Sequence, residues 1–224
     1  MDFRYVLGVD LDGVCADYNA GFRQVVAADR GIDPAELTTN TSWGFEEWGL
    51  DSGDFDRLHQ QAVTEQHMLA TLPMIKGCAD VLWRLSDAGI WIRIITHRLY
   101  KNWGHATAVT DTVTWLDAAQ IPYRDICFLG AKPEVEADLY IDDAPHNILA
   151  LRKAGNDVIV FDQSYNQDLP APRARSWDEL EDIAMSYVAK KSAVQPQLPG
   201  IDAGADRLVA KQRSVQAPTV PEAP

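Results

Sequence analysis

Positive charge is scarce in this sequence: 20 Lys and Arg stand against 33 Asp and Glu, a formal net charge of −13. A surface of that sign repels a phosphate backbone, which argues against broad electrostatic binding to duplex nucleic acid. A small phosphorylated ligand stays possible, because a metal ion and a few lysines reverse the field locally. No apolar run is long enough to cross a bilayer, so no membrane partner is expected. The first residues run straight into a strand-like segment without a secretory n-region or h-region, and a cytoplasmic location is expected. Cysteine is sparse as well. Cys15, Cys78 and Cys127 are odd in number and form no CxxC pair, which fits free thiols in a reducing compartment. Aromatic residues are missing from the last 34 positions, which hold five prolines. Residues 191–224 cannot bury enough apolar surface to offset their ordering entropy, and a disordered tail is expected there. No internal repeat is visible.

What remains is a chain of 224 residues, 46% hydrophobic, with enough apolar matter for a sizeable core. Five short β-branched runs stand out: Tyr5 to Asp10, Ile90 to Thr96, Asp125 to Gly130, Asp138 to Asp142 and Asp157 to Asp162. They are continuous rather than alternating, as strands covered on both faces are. Helical patterns lie between them, two of them followed by Gly89 and Gly155 where a C-cap falls. Strand and helix alternate, so the expected fold class is α/β: a doubly wound, parallel, five-stranded sheet of Rossmann-like architecture. The stretch from about 14 to 75 breaks the rhythm. It carries a helical pattern from Val14 to Val26, a capping box at Asp33-Pro34-Ala35-Glu36, an aromatic loop with Trp43, Phe45 and Trp48, and a helix around Phe55 to Leu69. That is too long for a simple crossover and reads as a small helical cap inserted after the first strand. Ser176-Trp177-Asp178-Glu179 starts a last helix, so the folded domain is expected to span 1–190.

Ligands of an open parallel sheet bind beyond the carboxyl ends of its strands. Asp10 and Asp12 close the first run, Thr96 the second and Asp142-Asp143 the fourth, while Lys132 follows the third. Four strand ends thus deliver carboxylates, a hydroxyl and an ammonium to one region. A carboxylate can attack a phosphomonoester dianion only if charge is neutralised nearby. Mg²⁺, which takes oxygen ligands, suits Asp10 with Asp142 or Asp143. Lys132 adds a fixed positive charge and Thr96 a hydrogen bond to a phosphoryl oxygen. Asp10 as nucleophile splits hydrolysis into two displacements through an aspartyl-phosphate. Asp12 is placed to protonate the leaving alkoxide and then to deprotonate the attacking water. Asp-x-Asp-Gly does not fit an EF-hand, because loop positions 5, 6 and 12 would be Val14, Cys15 and Gly21. His97, His105 and His146 lack zinc-site spacing.

With these residues in hand, the chain resembles the haloacid dehalogenase-like phosphohydrolases. The four motifs are Val9-Asp10-Leu11-Asp12-Gly13-Val14, Ile94-Ile95-Thr96, Lys132 and Ile141-Asp142-Asp143. More closely it is similar to the cytosolic-type 5′(3′)-deoxyribonucleotidases, on its DLDGV opening, its cap placement and the stretch from Lys132 through Asp138-Leu139 to Asp143. The resemblance implies Asp10 as nucleophile and metal ligand, Asp12 as acid/base and as a ligand through its carbonyl, Thr96 and Lys132 on the phosphate, and Asp142-Asp143 completing a Mg²⁺ site. After Thr96 those nucleotidases usually carry Ser-Pro, where this chain has His97-Arg98. The main chain at His97 still suits phosphate, and Arg98 suits a second anionic group or the surface. Trp43 and Phe45 either stack on a base or form the cap's own core.

The expected substrate is a small phosphorylated metabolite, foremost a (deoxy)nucleoside monophosphate, and a homodimer is allowed for. Two rivals stand beside it: a sugar-phosphate phosphatase on the same scaffold, and a silent phosphate-binding scaffold whose Pro-rich tail recruits a partner. An intact Asp12 argues against the silent form.

Overall fold

The computed structural model describes residues 4–99, 101 and 103–194. Most of the expected tail, from 195 onward, lies outside the described residues. Six strands run parallel: β1 Tyr5–Val9, β2 Ile90–Thr96, β3 Asp125–Phe128, β4 Leu139–Asp142, β5 Val158–Phe161 and β6 Arg173–Ala174, in the spatial order β3-β2-β1-β4-β5-β6. Five were expected from the apolar runs. The sixth is two residues at the sheet edge, paired as Val160↔Arg173 and Phe161↔Ala174, and too short to carry a periodic signal.

The helices are α1 Tyr18–Arg30, α2 Ser52–Thr64, α3 Met68–Thr71, α4 Cys78–Asp87, α5 His105–Ala118, α6 Pro145–Lys153 and α7 Trp177–Val194. Apolar side chains cover both faces of the sheet. Leu7, Val9, Ile92, Ile94, Ile141 and Ile159 join one cluster with Val81, Leu82, Leu85 and Leu180; Ile95, Tyr140, Val158 and Val160 join another with Ile148 and Leu151 of α6. Each such side chain, fully buried, contributes about 1.5–3 kcal/mol. Hence the uninterrupted apolar runs in the sequence.

Between β1 and α4 the chain is helical. Asp17 caps α1 by accepting from the Ala20 amide at 2.8 Å, and Gly31 closes it in the left-handed region at φ 66°. The capping box at Asp33 forms, yet it opens only a three-residue 3-10 turn over Pro34–Glu36. The helix expected around Phe55 to Leu69 is divided. His67 adopts φ 53° between α2 and α3, so no continuous helix passes through it. Phe22, Phe45, Trp48 and Phe55 pack ring against ring, with centroids 4.6 to 6.4 Å apart. Their buried members belong to the same cluster as the β1 side chains, so this helical segment and the sheet share one core.

Candidate active site

The order of strands reverses direction at β1: β2 lies on one side of it and β4 on the other. A crevice forms at such a switch point beyond the carboxyl ends. Register places Val9 beside Ile141, and the Asp10 amide donates to the Ile141 carbonyl at 3.1 Å, so Asp10 and Asp142 emerge side by side. After Asp10 the chain coils tightly, with the amides of Cys15 and Ala16 both donating to the Leu11 carbonyl at 2.8 Å. Gly13 sits in this coil at φ +81°, and a Cβ there would lie 2.1 Å from Asp143 Oδ2. Only glycine fits, for conformation and for space.

Lys132, 2% exposed, reaches into the carboxylates. Its Nζ lies 2.7 Å from Asp10 Oδ1 and 2.6 Å from Asp142 Oδ2. Asp142 Oδ1 accepts from the Ala144 amide at 2.9 Å and from Asn147 Nδ2 at 3.3 Å, so both its oxygens are engaged. Asp143 differs. Tyr165 donates its hydroxyl proton to Oδ2, while Oδ1 is buried without a partner. Burial pushes the Asp10 carboxyl up to about 7; Lys132 opposes the rise and Asp142 adds to it. Burial, with Asp10 and Asp142 nearby, raises the Asp143 carboxyl well above its ordinary value. Burial works against the Lys132 ammonium, but Asp10 and Asp142 outweigh it and its pKa is raised.

Asp10, Asp142 and Asp143 offer oxygens within 4.8 Å of one another. Three buried carboxylates with one buried ammonium leave the site short of positive charge. An orphaned buried oxygen on Asp143 is what a divalent cation satisfies. The residues therefore fit a hard cation with oxygen ligands.

Asp12 sits apart from that trio. Its two oxygens accept from Arg98, Nη2 to Oδ1 at 2.7 Å and Nε to Oδ2 at 3.0 Å, while Arg98 Nη1 donates to Thr112 at 3.1 Å. Arg98 is thus enclosed against Asp12 and Thr112, with its side chain 2% exposed, and it also lines the cavity beside Asp12. Thr96, buried at the end of β2, accepts weakly from the Arg98 amide at 3.4 Å. The Nε2 of His97 is buried without a partner, and burial, with Lys132 nearby, lowers that imidazole to about 4, so it is neutral at pH 7.

A cavity of about 770 Å³ opens from Asp10, Asp12, Thr96, His97 and Asp143 toward the helical segment 14–75, where Tyr18, Phe45, Phe55 and His59 line it, joined by Trp103 from the stretch before α5. Phe45 is both a wall of this cavity and a buried member of the cap's aromatic cluster. Trp43 is 51% exposed and sets its edge against His146 and Tyr165, each 5.2 Å away. His59 stacks on Phe55 and shares a 2.8 Å hydrogen bond with the Tyr18 hydroxyl; burial holds it near pKa 4, hence neutral.

Tyr165, Asn147, Tyr18 and His59 did not stand out in the sequence. Tyr165 follows β5, so the strand-end rule applied to the fifth run points to it; the cap residues carry no local signal.

Residues 4–192 match the family model described as "5' nucleotidase, deoxy (Pyrimidine), cytosolic type C protein". A Chlorobaculum tepidum protein named "Putative 5'(3')-deoxyribonucleotidase" is 45% identical, over 82% of this chain and 91% of that one. Among solved structures, a predicted phosphatase from Clostridium acetobutylicum superposes with a TM-score of 0.59 at 15% identity, over 82% of this chain and 99% of that one. A HAD family hydrolase from Deinococcus radiodurans, solved with bound phosphate and sodium, gives 0.55 at 17% identity, over 84% and 97%. At that identity the structures speak for the fold.

Proposed function

Since the chain belongs to the cytosolic type C family of 5′-deoxynucleotidases, we propose that it hydrolyses (deoxy)nucleoside monophosphates, with Asp10 as nucleophile and Mg²⁺ as cofactor. The observation that carries this reading is a cavity that joins the Asp10 carboxylate, paired to Lys132 behind it, to an aromatic wall. Its volume, about 770 Å³, suits a ligand of mononucleotide size. Tyr18, Phe45 and Phe55 line the cavity, and aromatic side chains are what a base stacks on.

Asp10 attacks phosphorus, the bond to the leaving oxygen breaks, and Asp12 gives that alkoxide its proton. Water then attacks the aspartyl-phosphate, Asp12 takes the water's proton, and Asp10 is freed with release of inorganic phosphate. Lys132 holds Asp10 in place and offsets its charge. Thr96, the main chain at His97 and Lys132 bind the phosphoryl oxygens. A bound Mg²⁺ supplies charge neutralisation to the transferring phosphoryl group. Asp10, the carbonyl of Asp12 and Asp143 through its unengaged Oδ1 would hold that ion. Asp142, with both oxygens committed, supports them by fixing Lys132.

Arg98 fastens Asp12 in this scheme, and one of its two bonds must open before Asp12 transfers a proton. Replacing Arg98 with Ala lets the carboxylate wander, and kcat on a nucleotide is expected to fall roughly 10- to 100-fold, within the range a placed proton donor supplies. On p-nitrophenyl phosphate, whose leaving group needs little protonation, the fall is smaller; equal losses on both substrates would count against the role given to Asp12.

The substrate is tested with a Mg²⁺-dependent panel of deoxynucleoside 5′- and 3′-monophosphates against sugar phosphates. Phosphate release from sugar phosphates alone removes the nucleotidase reading and keeps the chemistry; release from neither removes both. Within the panel, Trp43→Ala raises KM for nucleotides about 3- to 10-fold with kcat little changed, the worth of one base–aromatic contact of roughly 1 kcal/mol. A change in thermal midpoint without a KM effect assigns Trp43 to packing instead.

A further inference from the structure

We propose that Tyr165 is the positioning residue for the cation-binding carboxylate of Asp143, and that it links this carboxylate to the cap loop around Trp43. The inference rests on the reading of Asp143 as a metal ligand. Its starting point is an asymmetry. One oxygen of Asp143 takes the Tyr165 hydroxyl proton, and the other is buried with nothing to bind. A carboxylate tethered at one oxygen presents the second in a defined direction, which is how outer partners orient the ligands of a metal.

The space for that tether is built by Gly13. A Cβ on Gly13 would fall 2.1 Å from Asp143 Oδ2 and 2.8 Å from the Tyr165 hydroxyl oxygen, so the tyrosine and the aspartate meet in the volume a side chain would fill. The turn carrying Tyr165 is pinned on both sides. Asn166 Nδ2 donates to the Asp143 carbonyl at 2.9 Å and to the Phe161 carbonyl at 2.8 Å, and Gln163 Nε2 donates to the Gly13 carbonyl at 2.7 Å. Residues 163–166 therefore grip the nucleophile loop and the end of β4 together.

The same turn holds the cap. Ser164 Oγ donates to the Thr41 carbonyl at 2.6 Å and accepts from the Thr41 amide at 3.1 Å. Two residues on, Trp43 lies edge-on to the Tyr165 ring at 5.2 Å and 78°. A shift of loop 41–43 displaces Tyr165, and through it Asp143. Cation binding and the seating of this loop are then linked, and the linkage is reciprocal.

The test uses the full chain and Mn²⁺ alone, with free Mn²⁺ read by electron paramagnetic resonance and the apo thermal midpoint recorded for each variant. Tyr165→Phe, which removes one hydroxyl, is expected to weaken Mn²⁺ binding roughly 10-fold or more. Ser164→Ala leaves that hydroxyl in place and weakens binding by about 5-fold through the loop. Both apo midpoints stay close to wild type. Binding by Tyr165→Phe within about twofold of wild type would overturn the positioning role, and the same result for Ser164→Ala would overturn the link to the cap; if Tyr165→Phe does not fold, Ser164→Ala decides the matter. Asp143→Asn separates the premises: undiminished Mn²⁺ binding in that variant sinks the metal-site reading itself.

Discussion

Asp10→Asn removes nucleotide hydrolysis, by at least about 10⁴-fold, and leaves the fold standing. The size follows from its role: a lost nucleophile costs orders of magnitude more than a lost binding contact, because no second group forms the covalent intermediate. The fold survives because burial already raises the Asp10 carboxyl to about 7, so a neutral isostere answers much of the desolvation penalty at neutral pH. The amide oxygen still accepts from Lys132. Two measurements check this together. Steady-state phosphate release falls to background, and hydroxylamine, which traps an acyl-phosphate as a hydroxamate, labels the wild-type chain at Asp10 and not the variant. Residual turnover within about tenfold of wild type would mean that another group attacks phosphorus.

Lys132→Met is expected to damage stability as well as activity. Lys132 is 2% exposed and bonded to two buried carboxylates. Without its ammonium Asp10 and Asp142 are left as uncompensated buried charges, at a cost of about 3–5 kcal/mol. For a domain of this size that lowers the thermal midpoint by roughly 10 °C. The sign of the pH dependence follows from Asp10. Its folded pKa, about 7, lies above the ordinary 3.8, so the ionised group opposes folding at high pH and protonation relieves it. Removing the ammonium that opposes this rise lifts the Asp10 carboxyl higher still, so the variant's deficit relative to wild type opens above about pH 7 and closes as pH falls to 7. A second change, Asp142→Asn, restores part of the midpoint and none of the activity. A Lys132→Met chain as stable as wild type at pH 8 would show that the ammonium is dispensable to the fold.

These expectations rest on residues that were visible before the structure was, for a plain reason. Asp10, Thr96 and Asp142 terminate apolar runs, Lys132 and Asp143 follow such runs closely, and a parallel sheet gathers the carboxyl ends of its strands whatever lies between them. Helix ends were legible where a glycine takes the left-handed conformation, as at Gly89 and Gly155; the start of α1 at Asp17 was not. They were not where a single backbone angle decides, as at His67.

Arg98 and Tyr165 show the other side. Arg98 meets Asp12 across a sequence separation of 86 residues, and Tyr165 meets Asp143 across 22. Neither pairing is implied by residue type, for an arginine in a loop is solvated unless the fold encloses it. Phe45 is similar: its composition admits stacking or core, and the folded chain gives one ring both positions, buried in the cap cluster and walling the cavity. The sequence by itself determined the alternation of strands and helices and the chemical groups at the strand ends, because periodicity and strand termination are local properties of the chain. Tertiary structure alone decided which oxygen of which aspartate is left unengaged, what holds Asp12, and how the cap meets the sheet, because those depend on approaches between distant segments and on the exclusion of water where they meet.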